Sequence, residues 1–515
     1  MLINRISRSL LEAPALVNVV HELDSGSDCD VAVAQSARPL TLASLWARKP
    51  RPTLMVVSGE EMADRVARTL SAWIGLNNVA RYPERKDLPW ADVAADDAVI
   101  GARCAAVSRL AQAEPCIVVA SARALMRQVP PVGSGYWASS SFAVGDEVPF
   151  EDMGALLVGM GYADDGEAAT PGTFHIHGDA VDVFPAQATA PVRIEFFGDE
   201  IDRVRRMVAS TKQTIGDLES VVVCPCRELA LTDTTVEHAR RALYNDAQET
   251  SAIAADLELI EARSSSPIID KYLVELYGST SSVFAHMSKD TLVVLCEPRA
   301  LFDDCQRKYD ELSAAAAAAR AKLTGLFVEP RGMDFGKQQR LSFSSILRAG
   351  AAAVHKLEVR QPAIAGADSK LLGRIRGCIE SNMVIAFAVP DRGAREALEL
   401  SLSDERIAFC EELSTSAANA LPVLDKQAQE QAQAFERGLV SFIDAPVPAG
   451  TIFPEASLAV FSVGDLTQRM AKQGARRRVD PTSVTFPFKP GDYVVHATHG
   501  IALFAAIVRQ EVSGK

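Results

Sequence analysis

The residues best placed to do chemistry fall in one stretch, Pro171 to Glu200, PGTFHIHGDAVDVFPAQATAPVRIEFFGDE. In a β-strand successive side chains point to opposite faces, so Val192, Ile194 and Phe196 share one face while Arg193, Glu195 and Phe197 share the other. The first set is core. The second sets a phenylalanine beside a guanidinium and a carboxylate on a face that should be solvated, a composition typical of binding hot spots. One strand earlier, Thr173, His175 and His177 form a polar row opposite Phe174 and Ile176. The same residues allow a plainer reading, in which Phe197 folds under the turn Gly198 to Glu200 and Arg193 only pairs with a nearby acid.

Nucleotide hydrolysis needs a different constellation. Backbone amides of a glycine-rich loop cradle the phosphates, a lysine reaches them, and a hydroxyl holds magnesium. No GxxxxGK[ST] occurs in the chain, and the stretch after the first apolar strand, Ala34 to Thr41, reads AQSARPLT. At the end of a later strand, where a metal-binding carboxylate would sit, the residues are Cys296, Glu297 and Pro298; a thiol is a poor magnesium ligand. Gly332 to Lys337 contains a Gly-Lys pair, but Gln338 follows it and the glycine spacing is wrong, so it reads as a loop. Catalytic residues are therefore expected to be absent. No metal site is expected either. Cys224 and Cys226 lack CxxC spacing and a second pair, and His496 and His499 lack a third ligand nearby. The nine cysteines are expected to be buried, reduced thiols.

The elements that must position these groups read as an α/β chain. Up to about residue 125, short aliphatic runs (Val31 to Val33, Leu54 to Val57, Cys116 to Val119) alternate with helix-period segments (Glu61 to Ile74, Ala102 to Ala113), which predicts parallel strands with crossover helices. From Phe142 to Val223 the pattern turns to hairpins and predicts a smaller β-rich domain. Helical patterns follow over Thr234 to Ala262 and Arg299 to Leu312, flanking a strand at Thr291 to Leu295, with an alanine run after the second helix. A further α/β unit is predicted from the strand Met383 to Val389, the helix Arg392 to Leu402, a polar helix Lys426 to Phe435 and the strand Leu458 to Val463. Gln468 to Pro490 is basic and proline-punctuated, with Arg476, Arg477 and Arg478 in a row, and reads as an exposed linker. Two strands of another β domain follow it, Tyr493 to Val495 and Ile501 to Val508; an isolated hairpin is marginal in water, so the chain is expected to stop inside a domain.

With 515 residues several cores are expected. An apolar fraction of 48% with 23% charged residues is ordinary globular composition. A formal charge of -13 lacks the basic footprint of a dedicated nucleic-acid binder, so any DNA contact should be local and salt-sensitive, with Arg476 to Arg478 the candidate patch. The longest apolar runs are strand-sized, well short of the roughly 20 residues that span a bilayer. The amino terminus has no uninterrupted apolar segment of the secretory kind, and a cytoplasmic location is expected.

The Pro171 to Glu200 stretch closely resembles the domain shared by the excision-repair subunit UvrB and the bacterial transcription-repair coupling factor (Mfd) family. In both, that module docks on the damage-recognition protein UvrA. Lys489 to Ile507, KPGDYVVHATHGIALFAAI, resembles the start of the RNA-polymerase-interacting domain of the coupling factors, a Tudor-like barrel shared with CarD-type regulators. The order of the two, joined through a basic linker, is that of the coupling factors; UvrB runs directly into a motor domain.

The resemblance implies a degenerate helicase-like domain at 1–126, an inserted UvrA-binding β-rich domain at 127–217, a return to the first domain at 218–365 and an α/β domain at 366–467. The linker would take 468–488 and the SH3/Tudor-like barrel would begin at 489–515. It implies UvrA contact through Arg193, Phe197, His177 and Glu195, and contact with the RNA polymerase β subunit through Val494, Val495, His496 and Ile507. His177 departs from the arginine usual at its position; neutral histidine lacks the permanently charged fork, so weaker or pH-sensitive affinity is expected. ATP, Mg and damaged duplex DNA belong to the motor of the full-length family, and no cofactor is expected in this chain. The competing expectation is a working UvrB-type helicase subunit with ATPase activity.

Overall fold

The computed structural model describes residues 3–91, 93, 95–263, 266–332, 337–346, 354–362, 368–389, 391–410, 437–443, 447, 449–462, 493–496 and 500–503. These fall into two units, 1–465 and 466–515.

The larger unit is built on a seven-stranded parallel sheet. Its spatial order is Val354–Lys356, Cys29–Ala32, Arg340–Ser344, Leu292–Cys296, Thr53–Val57, Ile117–Ser121, Val79–Tyr82. Both faces are covered, as a parallel sheet requires. On one side Val31, Met55, Val119, Val294 and Phe343 pack with Leu16, Trp46 and Trp73 from three helices. On the other, Leu54, Val118, Val293 and Leu295 meet Val107 and Leu301 from the helices Asp97–Ala111 and Pro298–Ala319. Alternate residues of each strand thus enter different cores, which is why the strands are near-continuous apolar runs.

Between the strands ending at Ser121 and beginning at Leu292 the chain leaves the sheet. It forms a six-stranded sheet in the order Thr214–Leu218, Glu200–Met207, Val192–Phe197, Ala180–Phe184, Thr173–His177, Ala163–Asp164, antiparallel except for the last pair. One face is closed by Met153 and Leu157 of the short helix Met153–Gly159, which pack with Phe174, Val183, Ile194 and Phe196.

A five-stranded sheet follows: Phe409–Cys410, Val440–Ile443, Val384–Ala388, Leu458–Ser462, Thr451–Phe453. Its Ala386, Phe453 and Val460 join the first core. In the smaller unit Tyr493–His496 pairs antiparallel with Gly500–Leu503.

The pattern expected from sequence differs from this fold in three places. Two strands of the first sheet, Arg340–Ser344 and Val354–Lys356, fall where the sequence pattern predicts no strand. The predicted helix Thr234 to Ala262 is two helices, Asp233–Glu249 and Ser251–Glu261, broken where Thr250 turns extended at φ -131°. The helix from Arg299 and the alanine run form one helix, Pro298–Ala319, since alanine continues a helix at least cost. The expected helix Lys426 to Phe435 and the basic linker lie outside the described residues.

Candidate partner-docking face and strand-end crevice

The strand Val192–Phe197 alternates as its sequence predicts. Val192, Ile194 and Phe196 are buried, while Arg193 and Glu195 are half-buried and Phe197 is 83% exposed. Phe197 does not fold under the following turn, which overturns that half of the plainer reading. The other half is realised in part: Arg193 does meet an acid. Its Nε and Nη2 donate to Oδ1 and Oδ2 of Asp182 at 2.7 and 2.8 Å, a side-on fork.

Asp182 is buried in the neighbouring strand and also takes His177 Nε2 at 3.2 Å. Burial alone would raise its carboxyl, but the Arg193 fork and then His177 outweigh it and hold it below the usual carboxylate value. Glu195 is engaged by Nη2 of Arg205 from the next strand. His175 stacks on His177, ring centroids 5.7 Å apart, and its Nδ1 lies 3.3 Å from Asp164. The predicted residues Arg193, Phe197, His177 and Glu195 are therefore brought together on one face.

Asp182, Arg205 and Asp164 complete that face, and sequence reasoning passed over them. The signal for Asp182 was present: an acid in the middle of AVDVF, an otherwise apolar strand, must find a partner.

A second feature lies at the carboxyl ends of the parallel strands, the crevice where doubly wound sheets hold ligands. Ala34 to Thr41 forms a 3-10 turn, Gln35–Ala37, leading into the helix Arg38–Arg48. Arg38, 4% exposed, pairs through Nη2 with Glu297 and donates to Ser345 Oγ at 2.9 Å. Ser345 in turn gives its backbone N–H and Oγ to Glu297 Oε1 at 2.7 and 2.6 Å. Glu297 sits in the left-handed region at φ +54°, a sterically costly conformation for a residue with a side chain. Burial pushes the Cys296 thiol up to about 12, so no thiolate is offered to a metal. Three strand ends are tied together by side chains of the protein itself, with a guanidinium where a phosphate loop would need open amides. These residues do not fit a nucleotide and its magnesium.

Cys224 and Cys226 are buried, and burial pushes each thiol up to about 12. Among the described residues no group of three His, Cys, Asp or Glu side chains could hold a metal, and no helix is long and apolar enough to cross a membrane. Val494, Val495 and His496 lie on the strand Tyr493–His496. Ile507 and Arg476 to Arg478 lie outside the described residues.

A family model for the UvrB interaction domain matches residues 141–229, which contain the six-stranded sheet and its exposed Phe197. One for the CarD-like/TRCF RID domain matches 488–515. The transcription-repair-coupling factor of Mycobacterium tuberculosis is 26% identical over 98% of this chain and 42% of its own length, and that of Bacillus subtilis 23% identical over 97% and 43%. Over nearly its whole length the chain is similar to the transcription-repair-coupling factors. UvrABC system protein B of Lactiplantibacillus plantarum is 27% identical, but over only 44% of this chain and 36% of its own length. The likeness to the coupling factors instead runs through both matched domains in order. The chain spans about 42% of the length of the coupling factors it matches.

Proposed function

We propose that this chain serves transcription-coupled nucleotide excision repair by recruiting UvrA through the 192–197 face and by contributing to an RNA polymerase tether through residues 488–515. The observation that carries the reading is Phe197, 83% exposed on the same strand face as a fixed arginine within the UvrB interaction domain. A large apolar side chain held out in water next to an organised polar group is the usual form of an interface anchor. The polymerase β subunit is the partner proposed for the tether, with Val494, Val495, His496 and Ile507 at the contact. A cytoplasmic location follows from both partners. In the full-length protein we place an ATP-dependent DNA translocase that displaces stalled polymerase at lesions and meets the damaged duplex. The chain described here would hold neither ATP nor magnesium, and the alternative of a UvrB-type ATPase subunit is disfavoured by the Arg38–Glu297 pair across the crevice.

The test is a pull-down of purified UvrA by this chain, with Arg193→Ala, Phe197→Ala and the double variant beside it and their folding checked by circular dichroism. Phe197→Ala should change stability by no more than about 0.5 kcal/mol, being exposed, and should weaken binding by roughly 30-fold, the range of an anchor residue. A parent chain that captures no UvrA at micromolar concentration, or a double variant that binds as the parent does, would refute the docking role.

A further inference from the structure

We infer that Asp182 is a positioning residue of this face: it fixes Arg193 and His177 in the poses in which a partner meets them. The inference rests on the UvrA-docking reading. In the strand register Asp182 stands directly opposite Arg193 on one side and His175 on the other, and Arg193 stands directly opposite Arg205. Two arginines facing each other across adjacent strands repel. Each is neutralised by a different acid, Arg193 by Asp182 and Arg205 by Glu195.

The fork commits Nε and Nη2 of Arg193 at 2.7 and 2.8 Å and leaves Nη1 as the guanidinium end without an internal hydrogen bond among the described residues. His177 is held the same way: Nε2 lies 3.2 Å from Asp182 Oδ2, which leaves Nδ1 for an outside group. The ring also stacks on His175 with the two planes inclined by 29°. Asp182 itself is 4% exposed and can touch no partner. Its effect must pass through the two side chains it holds. A guanidinium locked in one plane loses less rotamer freedom on association than a free one.

The chemistry that fits the face is a surface with an apolar recess for Phe197, an acceptor oxygen opposite Arg193 Nη1, and a donor opposite His177 Nδ1, since a neutral ring that gives its Nε2–H to Asp182 keeps a lone pair on Nδ1. Asp182 thus sets where on UvrA that acceptor and that donor must lie.

The experiment measures UvrA affinity for the parent, Asp182→Asn, Arg193→Ala, the double variant Asp182→Asn with Arg193→Ala, and Arg193→Lys, by calorimetry with melting curves for each. Asparagine keeps the shape but not the charge-assisted fork, and should weaken binding about tenfold in the parent but by no more than about twofold once Arg193 is already alanine. Arg193→Lys keeps the charge and loses the fork, and should bind as weakly as Arg193→Ala; rescue by lysine would show that charge alone suffices and would overturn the inference. So would Asp182→Asn at parent affinity, or losses that multiply in the double variant. If Asp182→Asn does not fold, Arg193→Lys decides alone, since Arg193 is half-exposed and its replacement leaves the core intact. A parent that fails to bind UvrA would sink the docking reading and this inference with it. A parent that binds, a Phe197→Ala chain that does not and an Asp182→Asn chain that does would sink the positioning role alone.

Discussion

His286 is a histidine whose surroundings allow one protonation state. Trp137 donates its indole N–H to Nδ1 at 3.0 Å, so Nδ1 is an acceptor and the proton sits on Nε2. Nε2 faces the carbonyl of Pro130 at 2.9 Å and Ser281 Oγ at 3.0 Å. Adding a second proton would set an N–H against the indole N–H. Burial holds the imidazole below its ordinary value of 6.5, against the Pro130 carbonyl, which favours the charged form. The sign follows: below pH 6.5 the unfolded chain takes up a proton that the folded chain refuses, so stability falls as pH drops from there. The melting temperature should decline between pH 7 and pH 5, and His286→Gln should flatten that slope while lowering the melting temperature at pH 7. An unchanged slope in the variant would assign the acid sensitivity to another group.

At the level of elements, the joint between the parallel sheet and the inserted β-rich domain is held by buried charge. Glu228, on the segment leaving the inserted domain, accepts from Arg85 Nη1 at 2.9 Å and Arg103 Nε at 2.6 Å. Arg85 and Arg127 also meet Asp87 and share Asp270. Three parts of the chain, around residues 85–127, at 228 and at 270, thereby meet in one network. Burial would push the Glu228 carboxyl up, but Arg103, Arg85 and Arg127 outweigh it and hold it at about 2. Its stabilisation is therefore complete above its ordinary value of 4.5 and is lost as pH falls from there through about 2. Glu228→Gln should cost about 3 kcal/mol at pH 7, because it leaves the buried Arg103 guanidinium without a carboxylate. Urea unfolding would measure it, and a cost under about 1 kcal/mol would place the joint's strength elsewhere. The close approach of Gly101 to Ala186 acts at the same joint: a Cβ there would lie 2.3 Å from Ala186 Cβ.

For the whole molecule, the crevice bridged by Arg38 and Glu297 predicts no response to nucleotide. Magnesium ATP at millimolar concentration should leave the melting curve unmoved, whereas a ligand present at a hundred times its dissociation constant would add about 2.7 kcal/mol. Phosphate release in the presence of single-stranded DNA should stay at background. A shifted melt together with phosphate release would restore the ATPase reading.

The sequence by itself determined what depends on local period. Strand alternation put Val192, Ile194 and Phe196 inward and left Arg193, Glu195 and Phe197 on one outer face, and the missing glycine-rich loop was visible as a missing string of residues. Side-chain direction repeats every second residue, so it needs no knowledge of neighbours. What only the tertiary structure decided is which groups meet. Asp182 reaches Arg193 because their strands are paired in that register. Glu297 reaches Arg38 across the end of the intervening strand Arg340–Ser344, because strands far apart in the chain are ordered that way in the sheet. The 340–344 and 354–356 strands enter the first sheet on the same terms. Pairing register and strand order are set by which apolar faces bury together across the whole chain, and no short window of sequence carries that sum.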